Sequence, residues 1–372
     1  MEYRGSGKQK GNKKNEIVHY IFKNENASKT ELTKALGLSM PTVLQYTKEL
    51  IEQGVLIETG EYESTGGRRA KSLAINGRMG YSVGLDITST HVSYVLIDLA
   101  GAVLKYGRTK LAFQNSKEYY QSLFEDVDRF LDTTRVDREM ILGIGVALPG
   151  NINADEKILI KSHALGLEGV NLKTVEGFVP YPVHFENDAN AAIIAEREHI
   201  GENAIFLFLG NTVGSALRAE GFVHRGKNRK AGEVGHVILV PGGRPCYCGK
   251  KGCVDSYCSV HALEKESGMS LDEFMQLVEK KDPSVMKIWR SYLDYLAITI
   301  SNLRMIHDTE LVLGGEMGEY LENHMMELSS RIREYNKFDS DTRYLKISRY
   351  KKESAAIGAA LHFIYQCFGN ID

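Results

Sequence analysis

No apolar run in this sequence approaches the roughly 20 residues that a membrane-crossing helix needs. Its first residues, MEYRGSGKQKGNKK, lack the apolar core of a secretory signal. Cysteine is scarce: of five in 372 residues, three fall between positions 246 and 253, too few and too bunched for a secreted disulfide framework. An excess of one charge sign is also missing, with 46 Lys and Arg against 48 Asp and Glu. Together these absences predict a cytoplasmic chain that makes no use of membrane. With 43% apolar and 25% charged residues it can fill ordinary globular cores, and its length suits two or three domains.

The charge is unevenly placed. Residues 1–75 hold 12 Lys and Arg against 9 Asp and Glu, whereas the remainder holds 34 against 39. A mildly basic head on an acidic body suggests that only the head meets a polyanion. Residues 1–14 show no apolar period and read as a basic flexible arm. From Asn15, Ile17, Val18, Ile21 and Phe22 recur at helical spacing. Ser28-Lys-Thr-Glu31 is a capping box opening a second helix, which Gly37 ends. Ser39 caps a third helix running to about Gln53, with Val43, Thr47, Leu50 and Ile51 inward and Ser39, Thr42, Leu44, Gln45 and Lys48 outward. Strands at Val55–Glu58 and Ser72–Ile75 flank a turn carrying Arg68 and Arg69. Three helices and a two-stranded ribbon make a winged helix-turn-helix over residues 15–76. Helical trios also serve as protein-interaction modules. The polar third helix and the two arginines favour double-stranded DNA, with Gln45 on an adenine, Ser39, Thr42 and Lys48 on phosphates or base edges, and Arg68 and Arg69 in the minor groove.

After a linker at Asn76–Gly80, strands at Tyr81–Ile87, His91–Asp98 and Val103–Thr109 read as a meander, followed by βα units. The strand Val183–Glu186 runs into Asn187-Asp188-Ala-Asn190, which caps a helix over Ala191–Ile200. A second strand pair surrounds Gly210-Asn-Thr-Val-Gly214, and helices dominate the remainder. A meander plus βα units, given twice, predicts an α/β body over residues 77–372. One lobe would span about 77–190 plus the C-terminal helix, the other about 191–355, with ligands in the cleft between them.

Between the lobes' second meander and the late helices stands AGEVGHVILVPGGRPCYCGKKGCVDSYC, from Ala231 to Cys258. His236, Cys246, Cys248 and Cys253 are three thiols and an imidazole, the donor set of a structural zinc site. Buried free thiols or a redox pair are the alternatives, though a bridge between Cys246 and Cys248 would be badly strained. Glu233 and Asp255 flank the cluster.

With AGEVGH, CYCGKKGC, NDANAA and the winged helix in view, the chain resembles the ROK family of repressors, open reading frames and sugar kinases. The resemblance implies a two-lobed actin-like ATPase (ribonuclease H-like) fold with a zinc knuckle. The winged helix resembles that of the family's repressor branch, which includes the xylose and N-acetylglucosamine repressors. It further implies Asp188 at the place of the kinase base, Asn187, Glu233 and His236 on sugar hydroxyls, and Gly150 at the back of the pocket. Where the family has Glu, this chain has Asp255, one methylene shorter. The phosphate loops depart more sharply. Asp86-Ile-Thr-Ser-Thr90 and Gly210-Asn-Thr-Val-Gly214 have both lost glycine, so Thr88 and Ser89 would project into phosphate space and no nucleotide is expected. The reading is therefore a non-catalytic sugar sensor that regulates carbohydrate-use genes, most simply as a repressor. It would act as a homodimer or dimer of dimers on a pseudo-palindromic operator, with a neutral sugar as effector. A DNA-binding sugar kinase is the alternative, with Asp188 catalytic.

Overall fold

The computed structural model describes residues 13–61, 71–351 and 353–369. The head begins with helix α1 (Lys13–Asn24), two residues earlier than the apolar period suggests. It continues through β1 (Ala27–Ser28), α2 (Lys29–Leu36), α3 (Met40–Glu52), β2 (Leu56–Glu61) and β3 (Lys71–Ile75). Ser28 and Glu31 form the reciprocal capping box, and Gly37 closes α2 at φ 63°. Ser39 caps α3, which buries Val43, Thr47 and Leu50; Ile51 is only half-buried.

The first lobe is built on β4 (Tyr81–Ile87), β5 (His91–Asp98), β6 (Val103–Lys110), α4 (Lys117–Asp132) and β7 (Ile141–Leu148). It adds β8 (Asn151–Asn153), β9 (Ile158–Ser162), β10 (Leu167–Asn171), β11 (Val183–Asn187) and α5 (Asp188–Ala195). The second lobe holds β12 (Ala204–Leu209), β13 (Val213–Ala219), β14 (Phe222–Val223), α6 (Asp255–Cys258), α7 (Val260–Ser267), α8 (Leu271–Glu279) and α9 (Pro283–His307). The chain ends in β15 (Glu310–Gly314), α10 (Glu316–Tyr335), β16 (Leu345–Ile347) and α11 (Ser354–Gly369).

The two large sheets repeat one plan. In the first the order is β11-β7-β4-β5-β6, and in the second β14-β13-β12-β15-β16. Read from the meander outward, both run antiparallel, antiparallel, parallel, parallel. A three-strand meander plus two crossover strands is thus given twice, which is the two-lobed actin-like arrangement.

Small residues let the lobes approach. A side chain at Gly84 on β4 would strike the Ala356 carbonyl of α11, and one at Gly358 on α11 would strike that of Ala191 on α5. Backbone therefore packs on backbone, joining α5 and α11 through an alanine layer of Ala147, Ala191, Ala355 and Ala359. On its other side α11 shares a core with the head: Ile17, Ile21, Leu50, Ile364 and Phe368 are all buried together. Phe22 of α1 meets Phe368 edge-on with centroids 5.2 Å apart, and Tyr365 at 5.7 Å.

The sequence differs from the structure at three points. The Asn76–Gly80 linker is a short 3-10 turn tied on both sides, because the Asn76 side chain donates to the Gly54 carbonyl at 2.9 Å and the Leu99 amide to Gly77 at 3.2 Å. α5 starts at Asp188 and stops at Ala195, since the Arg218 guanidinium draws the carbonyls of Arg197, Ile200 and Gly201 out of any helical ladder. The third is an addition, the small sheet β10-β9-β8, in a segment to which the sequence patterns assign no element. No helix among the described residues is long and apolar enough to cross a membrane.

Candidate functional site

A cavity of about 390 Å³ opens between the lobes where β8, β9, α5 and the loop before β13 converge with the segment 225–250. Gly150, Asn187, Asp188, Glu233 and His236 line it, so five of the six sequence-predicted effector residues come together. Asn187 caps α5, its side-chain oxygen accepting from the Asn190 amide at 3.0 Å. Its amide nitrogen donates to the Gly150 carbonyl at 3.1 Å and to Asp188 at 2.9 Å, which locks the loop and aims the carboxylate. Asp188 also accepts from the Ala189 amide at 2.8 Å. Burial pushes Asp188 up to about 6, with those two donors opposing and nearby Glu233 adding. Glu233 is likewise raised by burial, against a hydrogen bond from Asn151.

Asp255 does not line this cavity. It is buried on α6, and its Oδ1 accepts from the Val213 amide at 2.7 Å. Its short side chain thus holds the second glycine-poor loop in place. Other lining residues were missed: His163 and Lys161 come from the β9–β10 hairpin, and Tyr247 from inside the knuckle. For Tyr247, its place between two cluster cysteines was an available signal. His163 had none, because its hairpin has no clear alternation.

In the knuckle, the ligand atoms of His236, Cys246, Cys248 and Cys253 all lie within 4.8 Å of one another. Cys246 Sγ is 3.7 Å from His236 Nδ1, and Cys248 Sγ is 3.8 Å from Cys253 Sγ. A tetrahedral ion bonded to thiolates at about 2.3 Å would set sulfurs about 3.8 Å apart, so the cluster has the right size as well as the right donors. The free thiols are not bridged. His236 belongs to both the cluster and the cavity wall, and Lys250 donates to its carbonyl at 2.6 Å.

The two glycine-poor loops spend several of their own amides internally, and the Thr88 and Gly210 amides donate to the carbonyls of His91 and Thr212. Thr88 Oγ1 accepts from the amides of His91, at 3.0 Å, and Thr90, at 3.4 Å, while donating to the His91 carbonyl. Thr88 is therefore a staple across the turn and not a plug in phosphate space as its position suggested; Ser89 stands exposed. In the second loop Asp255 holds the Val213 amide. Close by, burial and Asp188 push Asp86 up to about 7, although Arg108 opposes this.

The head presents Ser39, Gln45 and Lys48 to solvent on α3, with Thr42 half-exposed. Ser39 and Thr42 share a hydrogen bond at 2.8 Å, Gln45 donates to Glu49 at 3.0 Å, and Lys48 lies 3.7 Å from Glu52. Arg68 and Arg69 lie outside the described residues, as does most of the basic arm.

The profile of the ROK family matches residues 82–365, and that of winged helix-turn-helix DNA-binding domains matches residues 12–57. The chain belongs to the ROK family. It is 28% identical to the xylose repressor of Bacillus subtilis (strain 168) over 327 residues, 84% of each chain. It is 25% identical to the DNA-binding transcriptional dual regulator NagC of Escherichia coli (strain K12) over 244 residues, 64% of this chain and 60% of that one. Among solved structures, a ROK family transcriptional regulator homologous to E. coli Mlc superposes with a TM-score of 0.73 at 21% identity, covering 96% of both chains. The ROK glucokinase of Streptomyces griseus, in complex with glucose and AMPPNP, superposes at 0.66 and 20% identity, covering 76% of this chain and 98% of that one. Repressors and kinases of the family thus share this body, and the winged head separates this ROK protein from the kinase.

Proposed function

We propose that this ROK protein is a sugar-responsive transcriptional regulator that represses carbohydrate-use genes. The observation that carries the reading is a sugar-sized cavity with a buried, aimed carboxylate beside two glycine-poor loops, several of whose amides are already spent on internal hydrogen bonds. Ionised Asp188 accepts from one sugar hydroxyl, Asn187 and Glu233 bind others, and the ring nitrogen of His236 that faces away from Cys246 remains for a third. The buried carboxylates repel a phosphate placed against them, so the effector in this cavity is a neutral sugar.

His236, Cys246, Cys248 and Cys253 would hold zinc. A bound zinc would supply rigidity, stiffening the knuckle and fixing the orientation of His236. The effector closes the lobes around α5. Because α5 packs on α11, and α11 shares its core with the head, closure changes the placement of two heads on a pseudo-palindromic operator. In each head Gln45 reads a base while Ser39, Thr42 and Lys48 hold phosphates or base edges. Arg68 and Arg69 reach the minor groove.

A thermal-shift screen of monosaccharides with and without Mg-ATP tests this. A shift with one sugar that ATP neither causes nor enhances, together with release of operator DNA by the same sugar, is the expected result. Phosphorylation of that sugar at enzymatic rates, abolished by Asp188→Asn, would establish the kinase reading instead.

A further inference from the structure

Glu186, at the end of β11, separates the sugar cavity from a second and larger hollow of about 740 Å³. Two imidazoles line its floor: His184 of β11 and His362 of α11 lie face to face, with centroids 3.5 Å apart and planes 2° apart. Arg197, Arg218, Arg225, Lys227 and Arg229 also line it, against which the lining supplies only Asp155 and Glu186 as carboxylates. Arg225 pairs with Glu186, and Arg229 with Asp155 at 2.9 Å. Arg197 lies over the Tyr365 ring and 3.3 Å from Glu198.

The remaining two cations make no direct ion pair among the described residues, although Glu198 and Glu202 act on Arg218 through space. Arg218 spends one amino group on three carbonyls and meets no carboxylate among the described residues. Lys227 is exposed at the rim. The field is felt at the floor, where His184 is driven down to about 3, first by burial and then by His362, Arg225 and Lys157. A half-buried guanidinium without a direct ion pair gains from an anion that supplies charge-assisted hydrogen bonds, and Arg218 keeps one amino group for it.

We propose that this hollow is a second ligand site, separate from the sugar cavity, for a small anion carrying a phosphate group. A free phosphate and a phosphate ester share that chemistry. The volume is that of a metabolite site and exceeds what one phosphate fills. Phe222 at the rim, 78% exposed, offers an apolar face to an organic body. The site also reaches the sugar cavity, because Arg225 and Arg229 line both hollows. Glu186, the partner of Arg225, accepts from the Asn187 amide at 3.0 Å and the Asn190 side chain at 3.1 Å. An anion that draws Arg225 toward itself loosens the loop that aims Asp188, so the two ligands are coupled.

Titration calorimetry on the full chain at constant ionic strength tests the site, with inorganic phosphate and glycerol 3-phosphate as probes and glycerol and chloride as controls. The expected result is saturable binding of at least one phosphate probe, weakened about tenfold by Lys227→Glu and unchanged by Lys265→Glu, an exposed charge on α7 that lines neither cavity. Tighter binding of the ester assigns the ligand to phosphorylated metabolites, and tighter binding of the free ion assigns it to phosphate itself. Absence of saturable binding, reproduction by chloride, indifference to Lys227→Glu or an equal loss in Lys265→Glu would each overturn the assignment.

Discussion

Arg108 of β6 and Glu316 at the start of α10 are 208 residues apart in the chain, and their side chains meet at 3.0 Å. The pair ties one lobe to the other beside Asp86. Both partners are about a third exposed, so the pair alone contributes little to stability. A thermal double-mutant cycle with Arg108→Ala and Glu316→Ala is expected to give a coupling of about 0.5–1 kcal/mol that falls as salt rises. A coupling of zero at low salt would show that the lobes are held without it.

Sugar affinity should depend on the ionisation of Asp188. The ionised carboxylate accepts from a hydroxyl far more strongly than the protonated acid does, and burial raises this group to about 6. Affinity is expected to be level above pH 7 and about tenfold weaker at pH 5. Asp188→Asn should flatten the profile; an unchanged slope in that variant would move the titration to another group.

Stability carries the opposite sign. Asp86 has a folded-state pKa near 7, above its ordinary 3.8. The folded chain therefore binds the extra proton between these values, and the stability from that proton is complete below about pH 4 and lost as pH rises through 7. Asp86→Asn should raise the melting temperature at pH 8 and leave it nearly unchanged at pH 4. Equal effects at both values would refute the shift.

Metal analysis of the purified chain is expected to find one zinc per chain, lost on mutation of Cys246 or Cys253. Verified removal should abolish the response to sugar while leaving α3, far from the knuckle in sequence, able to bind DNA. A full sugar response in metal-free protein would count against the bracing role of His236.

On the operator, Gln45→Ala should cost about 1–3 kcal/mol and relax preference at one base pair, whereas Lys48→Ala should weaken all sequences alike and reduce the salt slope by about one. Phe22→Ala separates head from body: operator binding survives while release by sugar is blunted, because the ring set edge-on against Tyr365 and Phe368 is gone. Intact release in that variant would show that the signal takes another route.

The sequence by itself determined whatever depends on local spacing. The Ser28–Glu31 capping box, the inward stripe of α3, both meanders and the four knuckle ligands each lie within one short stretch of chain, where periodicity and donor chemistry suffice. The same holds for the loss of glycine in the phosphate loops. Tertiary structure decided everything that brings distant stretches together. It turned Asp255 from the sugar toward Val213 and folded the Thr88 hydroxyl onto its own loop. It also set His163 in the cavity wall, and it placed Arg225 between two hollows. For Asp255, His163 and Arg225 one side chain chooses among several partners within reach, and only the packing of segments distant in the chain settles which partner is close enough to win.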